Sequence, residues 1–135
     1  MLKRIVYVST AIALLETAVL DGILAASRDN NRRDGITGLL LYDGGNFIQT
    51  IEGEPAAIDI LMDRIGADSR HYGLRVVEES AATLRMFSDW SMGYGRLDRP
   101  GMAEIVERLT PQPHAETTLA AVMLNVFLRN MDNRV

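Results

Sequence analysis

The chain has 135 residues, the size of one domain with a single hydrophobic core. Apolar residues make up 47% and charged residues 24%, which is typical of a globular protein and excludes a disordered or membrane-spanning chain. The net charge of −4 supplies no general attraction for nucleic acids or anionic membranes, and the lack of cysteine excludes disulfides and thiolate chemistry. The lack of cysteine fits a cytoplasmic protein, and polar residues interrupt the apolar N-terminal stretch, so we expect neither a signal peptide nor an anchor.

The first predicted elements are a strand over residues 3–9 and a helix over about residues 13–30. Apolar side chains occur on both faces of the strand, which predicts a central strand with Tyr7 buried. Ser27 and Asn31 are four residues apart and share one face of the helix's last turn, if the helix runs that far. Two interpretations stay open for this pair, because both residue types are common at helix ends as well as in binding sites.

Two apolar runs, residues 36–42 and 46–51, flank an Asp-Gly-Gly turn and predict a β-hairpin. Gln49 lies in the middle of the second strand, on the same face as Phe47 and Ile51. If that face is the core, the amide of Gln49 must find hydrogen-bond partners there. A buried ligand could supply them.

The later elements are a helix that begins at residues 54–55 and ends near residues 67–69, a strand over residues 74–77 that extends toward residue 83, and a strand over residues 90–97. Trp90 and Met92 are predicted to share one face of that last strand. The order β-α-β-β-α-β-β predicts an α+β fold, a ferredoxin-like sheet with two helices on one face.

Two C-terminal helices are predicted over about residues 102–109 and 116–131, after the Arg-Pro-Gly sequence at residues 99–101. We expect one unit over residues 1–98 and a helical extension over residues 99–135. The last helix carries a wide apolar stripe, made of Leu119, Val122, Met123, Val126, Phe127 and Asn130. Such a stripe is too wide for a solvated helix, so it should cover the other face of the sheet or a partner.

Few residues have the spacing of a known catalytic or metal site. His71 and His114 belong to no metal-ligand pattern, so no metal site is expected, and the glycines form no dinucleotide or Walker motif. What remains is a set of side chains at predicted buried positions that includes Tyr7, Asn31 and Gln49. Each alone is compatible with ordinary core packing, but their occurrence together weakens that interpretation. Tyr7 and Gln49 could meet beneath the two helices, where a flat heteroaromatic ligand would meet Asn31 as well.

Five short motifs follow one another along the chain: YVSTA at residues 7–11, Asn31 with GITGLL at 35–40, FIQ with IEG within 47–53, DSRH at 68–71 and FSDWSM at 87–92. In this order and spacing they resemble the BLUF domain, a family of blue-light sensors that use flavin. The resemblance covers about residues 2–97 and implies a photosensor domain over residues 1–98 with bound FAD. Ile51 stands where leucine is commoner, a volume-conserving difference.

The resemblance also implies roles for individual residues. Tyr7 would be the photoactive tyrosine, and Gln49 would bridge its hydroxyl to N5 and O4 of the flavin ring. Asn31 would bind the O4 and N3 edge, with Ser27 nearby. The other implied site residues are Asp68, Arg70 and His71, on the far side of the ring, and Trp90 and Met92, whose repacking reports the signal.

The function implied is that of a photoreceptor and not of an enzyme. Electron and proton transfer from Tyr7 to flavin would rearrange the hydrogen bond of Gln49 and signal through the last strand and the C-terminal helices. Little chain remains for a catalytic effector, and the apolar stripe predicts a protein effector or a homo-oligomer. Two alternatives stay open: a flavoprotein oxidoreductase, for which no nicotinamide-binding motif is present, and a ferredoxin-like structural or effector-binding domain without a chromophore.

Overall fold

The computed structural model describes residues 1–13, 17–43, 45–88, 90–96, 98–109 and 118–132. Its elements are β1 (Leu2–Ala11), α1 (Thr17–Asp34), β2 (Thr37–Tyr42), β3 (Asn46–Gly53), α2 (Pro55–Ala67), β4 (His71–Ala82), β5 (Gly93–Arg96), α3 (Arg99–Leu109) and α4 (Leu119–Asp132). The predicted order of strands and helices is confirmed. Outside the described part lie Gly44 of the predicted turn, Asp89, Leu97, His114, the predicted helix start at residue 116 and the side chain of Asn130.

The five strands form one mixed sheet in the order β4-β1-β3-β2-β5. β1 pairs antiparallel with both β3 and β4, which confirms the prediction that it is an interior strand. β2 pairs antiparallel with β3 and parallel with β5. The register sets Tyr7 directly opposite Gln49 across β1 and β3.

The sheet separates two apolar clusters. On its first face, α1 and α2 pack over residues such as Ile5, Leu40 and Ile51. On its second face, α3 and α4 pack over a different set, which includes Val6, Leu41 and Ile48. The predicted α+β fold with two helices on one face is therefore confirmed.

The apolar stripe of α4 is buried within the molecule. Met123 and Val126 are fully buried against the second face of the sheet, and Leu119 and Phe127 are buried beside them. The stripe therefore covers the other sheet face, the first of the two predicted possibilities. The predicted homo-oligomer loses the observation on which it was based and stays a prediction.

Helix α1 runs to Asp34, beyond the predicted end near residue 30. The backbone of Gly35 has a φ of +70°, in the left-handed region that favours glycine. The N–H of Ile36 then donates to the carbonyl of Asn31 at 2.9 Å and closes the helix in the manner of a Schellman motif. Asn31 therefore belongs to the last full turn, and its side chain remains available for other contacts.

Two strand boundaries also differ from the prediction. β4 begins at His71 and not near residue 74, because it pairs with β1 along most of its length. β5 begins at Gly93, so residues 90–92 precede it and lie outside any regular strand. In the described part of the chain, no helix is long and apolar enough to span a membrane.

The N-terminus of α4 is held by a carboxylate from the sheet. Glu78 of β4 accepts hydrogen bonds from the backbone N–H of Leu119 at 2.8 Å and of Ala120 at 3.4 Å. We expect Glu78→Ala to lower the free energy of unfolding by about 1–2 kcal/mol in urea titrations, because a helix terminus loses its acceptor and a favourable charge.

The neighbouring Glu79 provides the control for this prediction. Its side chain is 58% exposed and contacts Lys3 at 3.2 Å. Exposed ion pairs contribute little, so Glu79→Ala should cost less than about 0.5 kcal/mol. Equal losses in the two variants would contradict the assignment of Glu78 as an acceptor that stabilises the N-terminus of α4.

Candidate functional site

A cavity of about 420 Å³ lies between the first face of the sheet and the helices α1 and α2. This volume falls within the range of small-molecule and cofactor sites. Its lining includes seven of the predicted site residues together with Met92. These residues are Tyr7, Ser27, Asn31, Gln49, Asp68, Arg70, His71 and Met92. Trp90 is the predicted site residue that is not among the lining residues.

The floor of the cavity holds three side chains in contact. The hydroxyl of Tyr7 donates a hydrogen bond to Oε1 of Gln49. The other end of the amide, Nε2, donates to Sδ of Met92 at 3.2 Å. Gln49 is only 8% exposed, so the prediction that its amide is buried and needs partners is confirmed.

The phenol of Tyr7 is kept neutral by its surroundings. Burial raises the pKa of Tyr7 far above its usual value, and the negative charge of Asp68 raises this pKa further. The hydroxyl is therefore protonated at physiological pH and acts as a donor toward the amide oxygen.

One wall of the cavity comes from the last two turns of α1. Asn31 is 3% exposed, and its Nδ2 donates to the backbone carbonyl of Ser91 at 2.7 Å. Nε of Arg28 donates to the carbonyl of Met92 at 2.9 Å. Ser27 lies one turn before Asn31 and also borders the cavity. This end of α1 therefore lines the cavity and also holds the residues that precede β5.

The far end of the cavity is formed where α2 leads into β4. Nε of Arg70 donates to Oδ1 of Asp68 at 2.9 Å, and a second guanidinium nitrogen contacts Oδ2. These side-chain hydrogen bonds lower the pKa of the Asp68 carboxyl to about 2. The carboxylate is thus charged at neutral pH, and it accepts from the Arg70 backbone N–H as well, at 2.9 Å.

His71 borders the cavity and contains a buried ring nitrogen. Its Nε2 lies 2.7 Å from the carbonyl oxygen of Ile65, so this nitrogen carries the proton and donates. In the neutral ring Nδ1 is then an acceptor, and it is buried without a partner among the described residues. A buried acceptor of this kind fits a ligand that presents a hydrogen-bond donor. Apolar lining side chains such as Leu40 and Phe47 suit a flat ring, so the cavity fits the expected heteroaromatic ligand.

Trp90 and Met92 point to opposite sides of the sheet. Met92 is 2% exposed and packs on the first face beside Gln49. Trp90 packs on the second face, with ring centroids 6.3 Å from Phe87 and 5.1 Å from Phe127. The prediction that Trp90 and Met92 share one face of a strand is wrong, because both precede β5 and strand alternation does not govern them.

Several contacting residues were not predicted. Arg28, three residues before Asn31, could have been found from helical spacing, which puts the two on one face. Arg64 of α2 also lines the cavity. Glu52 lies within the IEG motif, but no local pattern in the sequence indicates its contacts. Within the described ranges, no three His, Asp or Glu side chains cluster in a way that could hold a metal ion.

Proteins of known structure share this fold over nearly the whole chain. BlrB, described as a BLUF protein in its dark state, is 33% identical, with a TM-score of 0.73 and coverage of 99% of this chain and 97% of that one. The photo-activated state of BlsA is 25% identical, with a TM-score of 0.77 and coverage of 95% and 96%.

A curated relative is much longer. The photoactivated adenylate cyclase subunit beta of Euglena gracilis is 35% identical over 83 residues, which is 58% of this chain and 10% of that protein. The chain thus matches about a tenth of this relative, and the cyclase activity in its name is a property of that protein.

The family assignment follows from the match over most of the chain. Residues 2–93 match the family model described as BLUF, sensors of blue-light using FAD. That family is one of sensors, and its cofactor is FAD. The order of the strands and helices, the cavity beneath α1 and α2 and this match agree with one another. The chain belongs to the BLUF family of blue-light sensors.

Proposed function

We propose that this chain is a blue-light photoreceptor in which Tyr7 and Gln49 convert light absorption into a rearranged hydrogen bond. One observation carries the proposal. The buried amide of Gln49 contacts the Tyr7 hydroxyl through its oxygen and the sulfur of Met92 through its nitrogen. Any change in the orientation of this amide is therefore felt by both neighbours.

FAD would be held in the cavity between the sheet and the two helices. The amides of Asn31 and Gln49 offer hydrogen bonds to the polar edge of the ring, with Ser27 beside them. Asp68, Arg70 and His71 would bind at the far end, where Nδ1 of His71 has an acceptor to offer. When bound, the flavin absorbs blue light and becomes a strong oxidant.

Tyr7 would supply an electron and then its hydroxyl proton to the flavin, and both would return to Tyr7. The amide of Gln49 would remain rearranged, by rotation or by tautomerisation. The two ends of an amide differ as donor and acceptor, so this change makes a different set of hydrogen bonds without moving the backbone. A carboxylate at the same position has only acceptors at neutral pH and could not do this.

The contact with Met92 gives this rearrangement a mechanical consequence. A thioether sulfur is a weak acceptor and has no proton to donate. Rotation of the amide would set Oε1 of Gln49 against this sulfur, two acceptors facing each other, so Met92 would move. Its backbone carbonyl accepts from Nε of Arg28 at 2.9 Å, so the side chain of Met92 would move first.

The signal would leave the sheet through Trp90. This residue lies two positions before Met92, and its ring meets Phe127 of α4 edge-on at 5.1 Å. Movement near Met92 therefore has a short covalent path to a contact with the C-terminal helices. We propose that residues 1–98 are the sensor unit and that residues 99–135 carry the output.

The receiver of the signal would be a protein effector in the cytoplasm. The name of the Euglena relative joins photoactivation to an adenylate cyclase. This supports an effector that acts on a nucleotide or on another signalling molecule. The buried stripe of α4 gives no support to a homo-oligomer, and self-association remains an alternative way of transmitting the signal.

The test is an absorption spectrum of the purified protein in the dark, directly after a blue flash and during recovery in the dark. We expect a yellow protein whose flavin bands shift slightly to the red, remain those of oxidised flavin and return. An equal dose of red light, which oxidised flavin does not absorb, should have no effect.

Two outcomes would contradict the proposal. Bleaching of the flavin bands would mean net reduction and would favour an oxidoreductase. Colourless protein, even after reconstitution with FAD, would favour a structural or effector-binding domain without a chromophore.

A further inference from the structure

A carboxylate on the second face of the sheet gathers an unusual number of donors. Glu52 of β3 is 0% exposed and faces away from the cavity, as its neighbour Ile51 faces toward it. Its oxygens accept from Nε of Arg4 and from Oγ1 of Thr37, each at 3.0 Å, and Nη2 of Arg4 forms an ion-pair contact with Oε2 at 3.0 Å. They also accept from the backbone N–H of Met86 at 3.0 Å and of Phe87 at 2.6 Å.

The two backbone donors belong to the segment that joins β4 to β5, residues 83–92, here called the connecting segment. Its described residues form neither helix nor strand, so no sheet ladder holds it in position. Glu52 and Arg4 hold its first half, since Arg4 also donates to the carbonyl of Leu84 at 3.1 Å. Arg85 of this segment in turn donates to Oγ1 of Thr37 at 2.9 Å and reinforces the same cluster.

The second half of the connecting segment is held by hydrogen bonds from β2 and α1. Gly38 of β2 donates to the carbonyl of Trp90 at 3.1 Å, and α1 binds the next two carbonyls through Asn31 and Arg28. The N–H of Trp90 donates to the carbonyl of Phe87 at 3.0 Å, which links the two halves. A shift at Phe87 is therefore passed directly to Trp90 and, two residues on, to Met92.

We propose that Glu52 is a positioning residue of the light response: it fixes the connecting segment so that Met92 lies against Gln49. The inference rests on the proposed function and adds to it a residue on the opposite face of the sheet. Glu52 touches neither the cavity nor Gln49, so it acts through the backbone of Phe87 and the residues that follow. It also holds Phe87 in its aromatic contact with Trp90, so the positions of Trp90 and Met92 both depend on Glu52.

The decisive variant is Glu52→Gln, which keeps the size of the side chain. An amide has one acceptor oxygen and one donor nitrogen, so it cannot accept from Arg4 and from both backbone N–H groups together. We expect the variant to bind FAD and to shift red after a blue flash, and to recover in the dark at least about threefold faster. When the loss of one hydrogen bond changes the height of an activation barrier, the rate changes by about two- to tenfold.

Glu78→Gln is the matched control, because Glu78 is also a strand carboxylate that accepts from two backbone N–H groups, those of Leu119 and Ala120. It touches α4 and not the connecting segment, so its recovery rate should stay within about twofold of that of the unaltered protein. Equal acceleration in both variants, or none in Glu52→Gln, would overturn the proposal.

If Glu52→Gln does not fold, Thr37→Val tests the positioning role of Glu52 instead. It removes one donor to Glu52 and the acceptor of Arg85 with little change in volume. Faster recovery in this variant supports the proposal, and an unchanged rate overturns it. Absence of any red-shifted state in the unaltered protein would defeat the proposed function itself, whereas a normal red shift with normal recovery in the variants defeats only the role of Glu52.

Discussion

Replacing Gln49 with leucine is expected to abolish the light-induced red shift and to leave the protein yellow. Leucine has nearly the same volume as glutamine, so the cavity and its FAD should be retained. It can neither accept from the Tyr7 hydroxyl nor donate to the sulfur of Met92, the two contacts that the amide makes. The measurement is the difference spectrum between flashed and dark protein, which we expect to be flat in this variant.

Ile51→Leu is the matched control for this experiment. Ile51 lies two residues further along β3, on the same face, and is fully buried. The exchange conserves volume and removes no polar group, so it should cost less than about 1.5 kcal/mol and keep the red shift. A red shift that survives in Gln49→Leu would contradict the proposed role of the amide.

Tyr7→Phe separates the two members of the pair. It removes the hydroxyl that donates to Gln49 but leaves the amide and its contact with Met92 in position. The red shift should again be lost, because the electron and proton donor is gone. A response lost in Tyr7→Phe and kept in Gln49→Leu would mean that tyrosine drives a change in which the amide has no part.

The arrangement around Tyr7 and Gln49 was predictable because it depends on local periodicity. Strand alternation puts Gln49 on the face of Phe47 and Ile51, and the turn sequence fixes the hairpin that contains all three. The apolar residues on both sides of Tyr7 likewise predicted an interior strand. Pairing of β1 with β3 then sets Tyr7 opposite Gln49. The roles assigned to these residues came from the resemblance and not from the periodicity.

The connecting segment was not predictable, because its shape depends on partners distant in sequence. The donors Met86 and Phe87 are 34 and 35 residues from Glu52, and no local pattern links them. The strand predicted at residues 90–97 assumed that Trp90 and Met92 alternate with their neighbours. Hydrogen bonds from α1 and β2 instead bend the backbone there, and the two side chains go to opposite faces of the sheet.

The sequence contains a signal for the end of α1 that the prediction did not use. Gly35 follows two basic residues, Arg32 and Arg33, as is common just past the end of a helix. Taking Gly35 as the stop would have extended the predicted helix through Asn31. It would also have favoured a site over a cap for that residue, since the side chain of a residue inside the last turn can reach a neighbouring segment.

The largest effect on stability is expected from Gly38→Ala. Gly38 of β2 is opposite Ile51 of β3. A Cβ at this position would collide with the backbone oxygen of Thr50 and lie 3.2 Å from the Cα of Ile51. Backbone atoms cannot turn aside as a flexible side chain can, so the two strands must separate. We expect a loss of at least about 3 kcal/mol in the free energy of unfolding, measured by urea titration.

Gly66→Ala is the control, since its Cβ would meet no heavy atom within 4 Å. Gly66 lies inside α2, where alanine is the better helix former, so this variant should be more stable by up to about 1 kcal/mol. A loss below about 1 kcal/mol in Gly38→Ala would mean that β2 can move away from β3 at little cost.

The position also bears on the light response, because the N–H of Gly38 holds the carbonyl of Trp90 and Thr50 is next to Gln49. Any folded fraction of Gly38→Ala should therefore recover in the dark at an altered rate, whereas Gly66→Ala, which is remote from both contacts, should recover at the rate of the unaltered protein.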